Sequence, residues 1–222
     1  MKRNPLGTIL IFLGVAALLS ALALLVFNLW TEKQAGEQSS AALQELRPSP
    51  QVTPTVPEES FALQENNTDL PQTNTPQEPE MPDSVPSPER ELPEKEVDGR
   101  AYVGVLTIPS LDLELPILSE WSKDGVRVAP CRLEGTPYQN NLVLGAHNYT
   151  VHFGKLSLLK SGDLIYFADV EGNVFPYEAV SFEILSPNQR EILCDGQWDL
   201  SLFTCTLSGR SRFTVRCERV EP

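Results

Sequence analysis

The order of hydrophobic and polar positions divides this chain of 222 residues into three parts. Residues 6–30 contain no Asp, Glu, Lys or Arg and are mostly apolar. Residues 31–98 are polar and rich in proline and acids, and from residue 99 onward apolar and polar positions alternate in short runs. A long apolar run is typical of a membrane-crossing helix, whereas alternation indicates half-buried strands. The pattern therefore predicts an apolar helix, a linker and one β-domain.

The apolar run is long enough to serve as a membrane anchor. At about 1.5 Å per residue, a helix over residues 6–30 crosses a hydrocarbon core of roughly 30 Å. Lys2 and Arg3 precede it, which favours a cytoplasmic N-terminus of residues 1–5. The alternative is a cleaved signal peptide, because residues 21–23 have the small-x-small form, although the apolar run continues past them. In either case, everything after residue 31 is expected outside the cytoplasmic membrane.

Residues 31–98 are expected to form an extracellular linker. Residues 31–47 are polar and compatible with a short helix, and prolines then recur as far as Pro93 among many acids. Frequent proline blocks helices, and acids that repel one another keep a chain extended. Two interpretations stay open: a spacer that lifts a domain off the membrane, and a linker whose sequence hardly matters.

Residues 99–222 have the pattern of one all-β domain. Leu111, Leu113 and Leu115 share one face of a strand, and Pro116 in the same run suggests an edge strand or a bulge. Residues 171–173 (Glu-Gly-Asn) mark a turn between two strands. The spacing predicts a closed β-barrel of seven or eight strands with short helices. The stretches that carry this pattern are AYVGVLTIP, LDLELPIL, NNLVLGAHN, DLIYFADVEGNVFPYEAVSFEIL, LSLFTCT and SRFTVRCERV.

Charge and cysteine content narrow the possible functions. The formal net charge is −13 and no cluster of basic residues occurs, which argues against a nucleic-acid partner. The four cysteines form no C-x-x-C pair, so a structural zinc site has little support. Cys131 and Cys217 are compatible with a disulfide outside the membrane or with two separate buried thiols. Cys194 is expected in the loop that precedes the strand of Cys205.

Cys205 is the candidate nucleophile, although a free cysteine is by itself more often a buried core thiol. A reactive thiolate needs a nearby base or cation. His147 follows an apolar strand directly, and a strand end on a rigid sheet suits a catalytic group. A hairpin across residues 207–210 would bring Arg212 beside Cys205, where a guanidinium stabilises a thiolate or an oxyanion. Arg210 and Arg216 are expected to be solvated charges.

With these residues in this order, the chain resembles the sortases, the cysteine transpeptidases of Gram-positive cell surfaces. The family pattern is a histidine after an apolar strand, a Thr-Leu-x-Thr-Cys segment and an arginine on the next strand. This chain has LVLGAHN, LSLFTC and RFTV in that order, with IPSLDLELPIL before the first of them and HFGKLSLLKSGD after the histidine. The resemblance covers residues 102–220.

The resemblance implies a role for four residues. Cys205 would be the nucleophile, His147 the general acid and base, and Arg212 the group that binds substrate and stabilises the oxyanion. Thr204 would help to shape the substrate-binding site. The reaction would be transpeptidation on an LPxTG-like sorting signal of surface proteins, with a cell-wall peptide amine or a pilin lysine as acceptor. The resemblance implies no cofactor and no metal ion, and no compact acidic cluster argues for calcium activation.

Departures from the family pattern bear on the subtype. The histidine follows Gly145-Ala146 instead of the commoner alanine-glycine, a change expected to leave its role intact. Residues 31–101 contain no Asp-Pro-aromatic lid triplet, which disfavours a pilin-polymerising type. Residues 186–199 are too short for the helical insertion of class B. A class D-like or unclassified sortase is the remaining expectation.

Two other functions compete with this interpretation. A non-catalytic, membrane-tethered β-domain that binds cell-wall polymer or a surface protein would keep the same architecture without needing a free Cys205. A papain-like or NlpC-like peptidase is disfavoured, because those families place the cysteine upstream of the histidine, whereas here His147 comes first.

Overall fold

The structure, a computed structural model, describes residues 5–47, 90–206 and 208–221, with the backbone alone for residues 5–8. Most of the expected linker, residues 48–89, lies outside the described residues. The helices are α1 (Pro5–Leu46), α2 (Gly125–Val128) and α3 (Arg190–Leu193), and 3₁₀ turns span Pro109–Leu111 and Phe153–Leu158. The strands are β1 (Lys95–Val97), β2 (Arg100–Ile108), β3 (Leu113–Leu118), β4 (Cys131–Glu134), β5 (Leu142–Ala146), β6 (Leu164–Asp169), β7 (Val174–Leu185), β8 (Leu200–Cys205) and β9 (Arg212–Arg219).

The strands form a closed barrel. They are hydrogen-bonded in the order β1-β2-β3-β4-β5-β8-β9-β7-β6, and β6 also pairs with β2. This pairing closes eight strands into a ring and leaves β1 as an extension on β2. The predicted all-β barrel with short helices is thereby confirmed in its eight-stranded form. Strand β4 was not predicted from the sequence, because its four residues, CRLE, are too few to show a clear alternation.

Alternating apolar residues fill the barrel interior, as the pattern of period two requires. Leu113 and Leu115 of β3 are buried in this core, as predicted, whereas Leu111 is buried there from the 3₁₀ turn Pro109–Leu111 that precedes the strand. Strand β3 pairs along its length with β2 but meets β4 only through Leu118. Most of its second edge therefore has no strand partner among the described residues, and such an edge tolerates Pro116.

Helix α1 has two parts with different surroundings. Its first part is apolar and exposed, and α1 is the helix among the described residues that is long and apolar enough to cross a membrane. Its second part, residues 31–46, packs on the barrel through a stripe at helical spacing. The buried positions of this stripe are Ala35, Ser39, Ala42 and Leu46. Ala42 and Leu46 join a second apolar cluster with residues of α2 and the neighbouring strands, and burying a leucine stabilises a fold by about 1.5–3 kcal/mol.

Regular elements stand at both ends of the segment expected to be a linker. The helix continues to Leu46, and the side chain of Arg47 pairs with Glu114 of β3. At the other end, Lys95 of β1 donates a hydrogen bond to the carbonyl of Glu45 at 2.5 Å. The chain therefore leaves and re-enters at neighbouring points on the barrel. The two interpretations of the linker stay predictions, because residues 48–89 lie outside the described residues.

Candidate active site

Three adjacent strands bring the sequence-predicted residues together. Strands β5 and β8 run parallel, with Ala146 opposite Thr204, so His147 and Cys205 are the next residues on neighbouring strands. Strands β8 and β9 run antiparallel, with Cys205 directly opposite Arg212. Neighbouring strands lie about 4.8 Å apart, and opposed Cα atoms about 4.5–5.5 Å. Cys205 thus stands between His147 and Arg212 at one end of the barrel.

These residues lie on the outer face of the sheet. Along β8, Leu202 points into the core, whereas Phe203 and Cys205 point outward. The guanidinium of Arg212 lies over the Phe203 ring, with Cζ 5.2 Å from the ring centroid. Trp121 stacks on the same ring, with 5.4 Å between centroids. An aromatic surface therefore supports the arginine next to the thiol.

Gly145 allows this aromatic surface to cover β5. A Cβ atom at Gly145 would lie 2.3 Å from the Phe203 ring and 2.6 Å from Trp121, closer than such atoms can approach. The neighbouring Ala146 is buried in the barrel core instead. Gly145 therefore faces outward and Ala146 faces inward, so the order Gly-Ala before His147 fits the alternation of β5.

Exposure and charge suit nucleophilic chemistry. Cys205 is exposed, whereas His147 is half-buried. Burial, and secondarily the positive charge of Arg127, lower the pKa of His147, which favours the neutral imidazole that accepts a proton. Within residues 90–206 and 208–221, no carboxylate forms a salt bridge with Arg212, so its guanidinium is available to a negative group.

Thr204 lies on the core side of β8, next to Cys205 in sequence. Its side chain is 5% exposed and donates a hydrogen bond to the carbonyl of Ala146 at 3.0 Å. This bond fastens β8 to β5 at the residue that precedes His147. The expected role of Thr204 in shaping the substrate-binding site stays a prediction.

All four cysteines, which lie in the described part of the chain, are free thiols. The disulfide between Cys131 and Cys217 is not formed, because the two residues are buried in different apolar clusters. Burial raises the pKa of Cys131 to about 11 and raises that of Cys217 further. Cys194 is half-buried, and burial also raises its pKa to about 11. Cys205 is the one exposed thiol of the four.

Arg216 is buried, which corrects the expectation of a solvated charge. It is 1% exposed, and its guanidinium donates to the carbonyls of Leu193 (3.0 Å) and Ile192 (2.7 Å) and to Ser201 Oγ (2.9 Å). These bonds hold residues 186–199 against the outer face of β8 and β9. One sign of this position was present in the sequence: alternation along β9 places Arg216 on the same face as Arg212.

A cleft of about 470 Å³ opens beside the aromatic surface. It combines Trp121 with charged groups of both signs from the β3–α2 loop, β4 and α3. Its lining residues are Ser119, Glu120, Trp121, Arg132, Leu133, Glu134, Gly135 and Arg190. Trp121 and Phe203 were not singled out in the sequence, since an aromatic residue in a loop or strand is usually a packing residue.

His152 is fully buried, directly before the 3₁₀ turn Phe153–Leu158. Its Nε2 lies 3.3 Å from Ser39 Oγ, and its Nδ1 has no partner among the described residues. Burial, and secondarily the proximity of His147, lower its pKa to about 4. The imidazole of His152 is therefore neutral at physiological pH.

Acid should destabilise the fold through His152. The unfolded chain takes up a proton near the ordinary pKa of 6.5, whereas the folded chain does so only near 4. The free energy of unfolding should therefore fall as pH decreases from about 6.5 to about 4, by up to about 3 kcal/mol. Urea denaturation of the full chain in detergent micelles at several pH values measures this slope. His152→Gln should remove most of it and leave the smaller slope of the same sign from His147, and equal slopes in both proteins would contradict the assignment.

The described residues contain no group of three or more His, Cys, Asp or Glu side chains placed to hold a metal ion. The groups that strand pairing brings together at this barrel end are a thiol, an imidazole and a guanidinium.

Comparison with known proteins identifies the family of this domain. A family model described as Sortase domain matches residues 106–220, which include all three candidate residues. The chain is 29% identical to sortase A of Bacillus anthracis over 121 residues, covering 52% of this chain and 57% of that protein. It thus spans little more than half the length of this curated relative.

Among solved structures, sortase A from Corynebacterium diphtheriae superposes with a TM-score of 0.51. The match covers 55% of this chain and 62% of that chain at 24% sequence identity, a level that shows a shared fold. The barrel described above is therefore the architecture of that enzyme.

Proposed function

Because the chain belongs to the sortase family, we propose that it is a membrane-anchored cysteine transpeptidase that acts through Cys205. The observation that carries this proposal is the placement of one exposed thiol between His147 and Arg212 on three adjacent strands. A nucleophile, a base and an anion-stabilising group within reach of one another are the parts that acyl transfer requires.

In the first half-reaction, His147 takes the proton of Cys205 and Sγ attacks the carbonyl carbon of a substrate peptide bond. Arg212, held over Phe203, stabilises the negative oxygen that develops on the tetrahedral intermediate. The C–N bond breaks as the His147 imidazolium protonates the leaving amine. The product of this step is a thioacyl-enzyme on Cys205.

In the second half-reaction, an amine attacks the thioester and His147 accepts its proton. The C–S bond breaks and the amine becomes joined to the carbonyl carbon, which restores the Cys205 thiol after the proton returns. Water in place of the amine gives hydrolysis. The same side chains serve both half-reactions, because in each of them His147 exchanges a proton with the groups that react at Cys205.

The substrate we propose is an LPxTG-like sorting signal of surface proteins, cleaved after its threonine. The outer face around Trp121, which stacks on the buried Phe203 ring, would receive an extended peptide, and the adjoining cleft with Arg132 and Arg190 would receive its polar part. The acceptor would be an amine of a cell-wall peptide or a pilin lysine.

We also propose the membrane arrangement of the chain. Residues 1–5 would lie in the cytoplasm, residues 6–30 would cross the membrane, and the catalytic domain of residues 99–222 would lie outside. Support comes from the apolar, exposed first part of α1 and from Lys2 and Arg3 before it. An extracellular site agrees with substrates that are surface proteins.

Mass spectrometry tests the proposed reaction. The full chain in detergent micelles is incubated with a library of LPxTG-like peptides and no amine, and peptide mapping locates any adduct. We expect a mass increase on Cys205 equal to a peptide cleaved after threonine, with Cys194 unmodified. If no peptide modifies Cys205 while an alkylating reagent does, the protein is a binding module and the proposal is wrong.

Arg212→Lys should separate charge from geometry. Lysine keeps the positive charge but loses the planar donors of the guanidinium and its stacking over Phe203. We expect kcat/KM for peptide cleavage to fall by about 10²–10³-fold, the usual loss for a group that stabilises an oxyanion. Alkylation of Cys205 should continue at a similar rate in the variant. Retention of wild-type kcat/KM would show that Arg212 has no role in the transition state.

A further inference from the structure

Residues 31–46 of α1 contact the loop that carries His147 at three successive helical levels. This histidine loop comprises residues 147–154. Glu32 Oε1 accepts a hydrogen bond from the backbone N–H of Thr150 at 2.6 Å. Gly36 faces Val151, and a Cβ atom there would stand 3.5 Å from its side chain, in ordinary van der Waals contact. Further along the helix, Ser39 meets His152.

The contact of Ser39 with His152 is a buried polar contact. Ser39 is 4% exposed, and its hydroxyl donates to the carbonyl of Val128 in α2 at 2.8 Å. Since the single hydroxyl proton is engaged there, the oxygen acts as acceptor toward His152 Nε2–H at 3.3 Å. His152 therefore carries its proton on Nε2, and one serine hydroxyl joins α1, α2 and the histidine loop.

The histidine loop is compact, so a restraint on its far side reaches His147. The N–H groups of His152 and Gly154 both donate to the carbonyl of Tyr149, at 2.9 and 2.8 Å, and the N–H of Phe153 donates to the carbonyl of His147 at 3.3 Å. The Tyr149 ring lies 5.0 Å from the His147 ring and 5.7 Å from the His152 ring. Contacts thus run without a gap from Ser39 to His147.

We propose that residues 31–46 of α1 position the general acid and base of this enzyme. Ser39 and Glu32 are positioning residues: they hold the histidine loop so that the His147 imidazole faces Cys205. The helix that continues from the apolar anchor is then part of the catalytic domain. This inference rests on the proposed function, because its catalytic consequence requires that His147 acts on Cys205.

Paired substitutions on the two faces of α1 test the proposal in the full chain. Ser39→Ala removes the buried hydroxyl, and Gly36→Leu places a side chain against Val151. Their matched controls are Ser40→Ala and Gln38→Leu on the exposed face of the same helix. The measured quantities are kcat and KM for cleavage of a peptide that acylates Cys205, and the thermal unfolding midpoint.

We expect Ser39→Ala to lower kcat by about tenfold and Gly36→Leu to lower it further, with KM changed less than twofold, because misplaced catalytic groups slow the chemical step. Both controls should stay within about twofold of the wild type. Ser39→Thr, which keeps a hydroxyl, should recover most of kcat. A loss confined to the unfolding midpoint, with kcat unchanged well below it, would overturn the proposal.

Hydrogen exchange provides a readout that does not depend on activity. Glu32→Ala should speed exchange of the Thr150 amide by at least about tenfold, because that amide loses its carboxylate acceptor. Glu37→Ala on the exposed face is the control and should leave it unchanged. If the wild-type protein forms no acyl-enzyme, the proposed function is wrong. Hydrogen exchange of the Thr150 amide would still decide whether α1 holds the histidine loop. Unchanged exchange in Glu32→Ala would contradict that contact.

Discussion

Replacing Cys205 with alanine is expected to abolish the acyl-enzyme and to lower peptide cleavage by at least about 10⁴-fold, because covalent catalysis has no substitute nucleophile at this position. The other three cysteines are buried or half-buried, and burial raises the pKa of each. None of them presents a thiolate near neutral pH. Cleavage rates with a fluorogenic LPxTG-like peptide, together with intact-protein mass spectrometry, measure the effect.

Cys194→Ala is the matched control for this prediction. Cys194 lies at the end of α3 in the segment that Arg216 holds, so its substitution probes a nearby thiol without removing the nucleophile. Its cleavage rate should stay within about twofold of the wild type. An acyl-enzyme that persists in Cys205→Ala, or one that disappears in Cys194→Ala, would show that the nucleophile has been wrongly assigned.

Replacing His147 with alanine is expected to lower kcat for cleavage by about 10³-fold or more, within the usual range for loss of a general acid and base. Without the imidazole, the thiol keeps its proton and the leaving amine departs unprotonated. KM should change little, since the proposed peptide-binding surface lies around Trp121, which stacks on Phe203. Initial-rate kinetics with a single sorting peptide as substrate give kcat and KM.

The His147→Ala variant also permits chemical rescue. Removing the ring leaves space next to Cys205, so added imidazole should restore part of kcat in a concentration-dependent way. The same addition should leave Cys205→Ala inactive, which separates loss of the base from loss of the nucleophile. A wild-type kcat in His147→Ala would remove the histidine from the mechanism.

The lowered pKa of His147 bears on the protonation state of the site before a substrate binds. Burial and Arg127 both disfavour the imidazolium, so the neutral ring stands ready to accept the thiol proton. In the proposed mechanism, an imidazolium with a lowered pKa is a stronger acid than an ordinary one, which suits protonation of a poor leaving group such as an amine. Arg212 is a permanent cation on the other side of Cys205 and is not needed for proton transfer.

Much of the site was accessible from local pattern. Strands can be recognised from the alternation of apolar and polar residues. This alternation predicted that Leu111, Leu113 and Leu115 share one face, and all three lie in the core. The pairing of Cys205 with Arg212 follows from a hairpin whose turn lies between them, because antiparallel neighbours joined by a short turn have few possible registers. The order of His147, Cys205 and Arg212 was enough to indicate the family.

Other features depended on contacts between segments far apart in the chain. Alternation places Arg216 on the outer face, but whether that face meets water or residues 186–199 is decided by the packing of that segment. The same limit applies to Cys131 and Cys217, since spacing along the chain says little about which apolar cluster a cysteine enters. Thr204 likewise adjoins Cys205 in sequence but points to the opposite side of the sheet.

By itself, the sequence determined the apolar helix, most of the strands, the barrel class and the three residues of the candidate site, because hydrophobic periodicity and short motifs are properties of neighbouring residues. Only the tertiary structure decided that β5 and β8 lie in parallel register, which brings His147 next to Cys205. It also decided that residues 31–46 dock on the histidine loop. A stripe of small residues on a helix has the same spacing whether it faces solvent or a partner, and only the shape of the opposing surface selects between them.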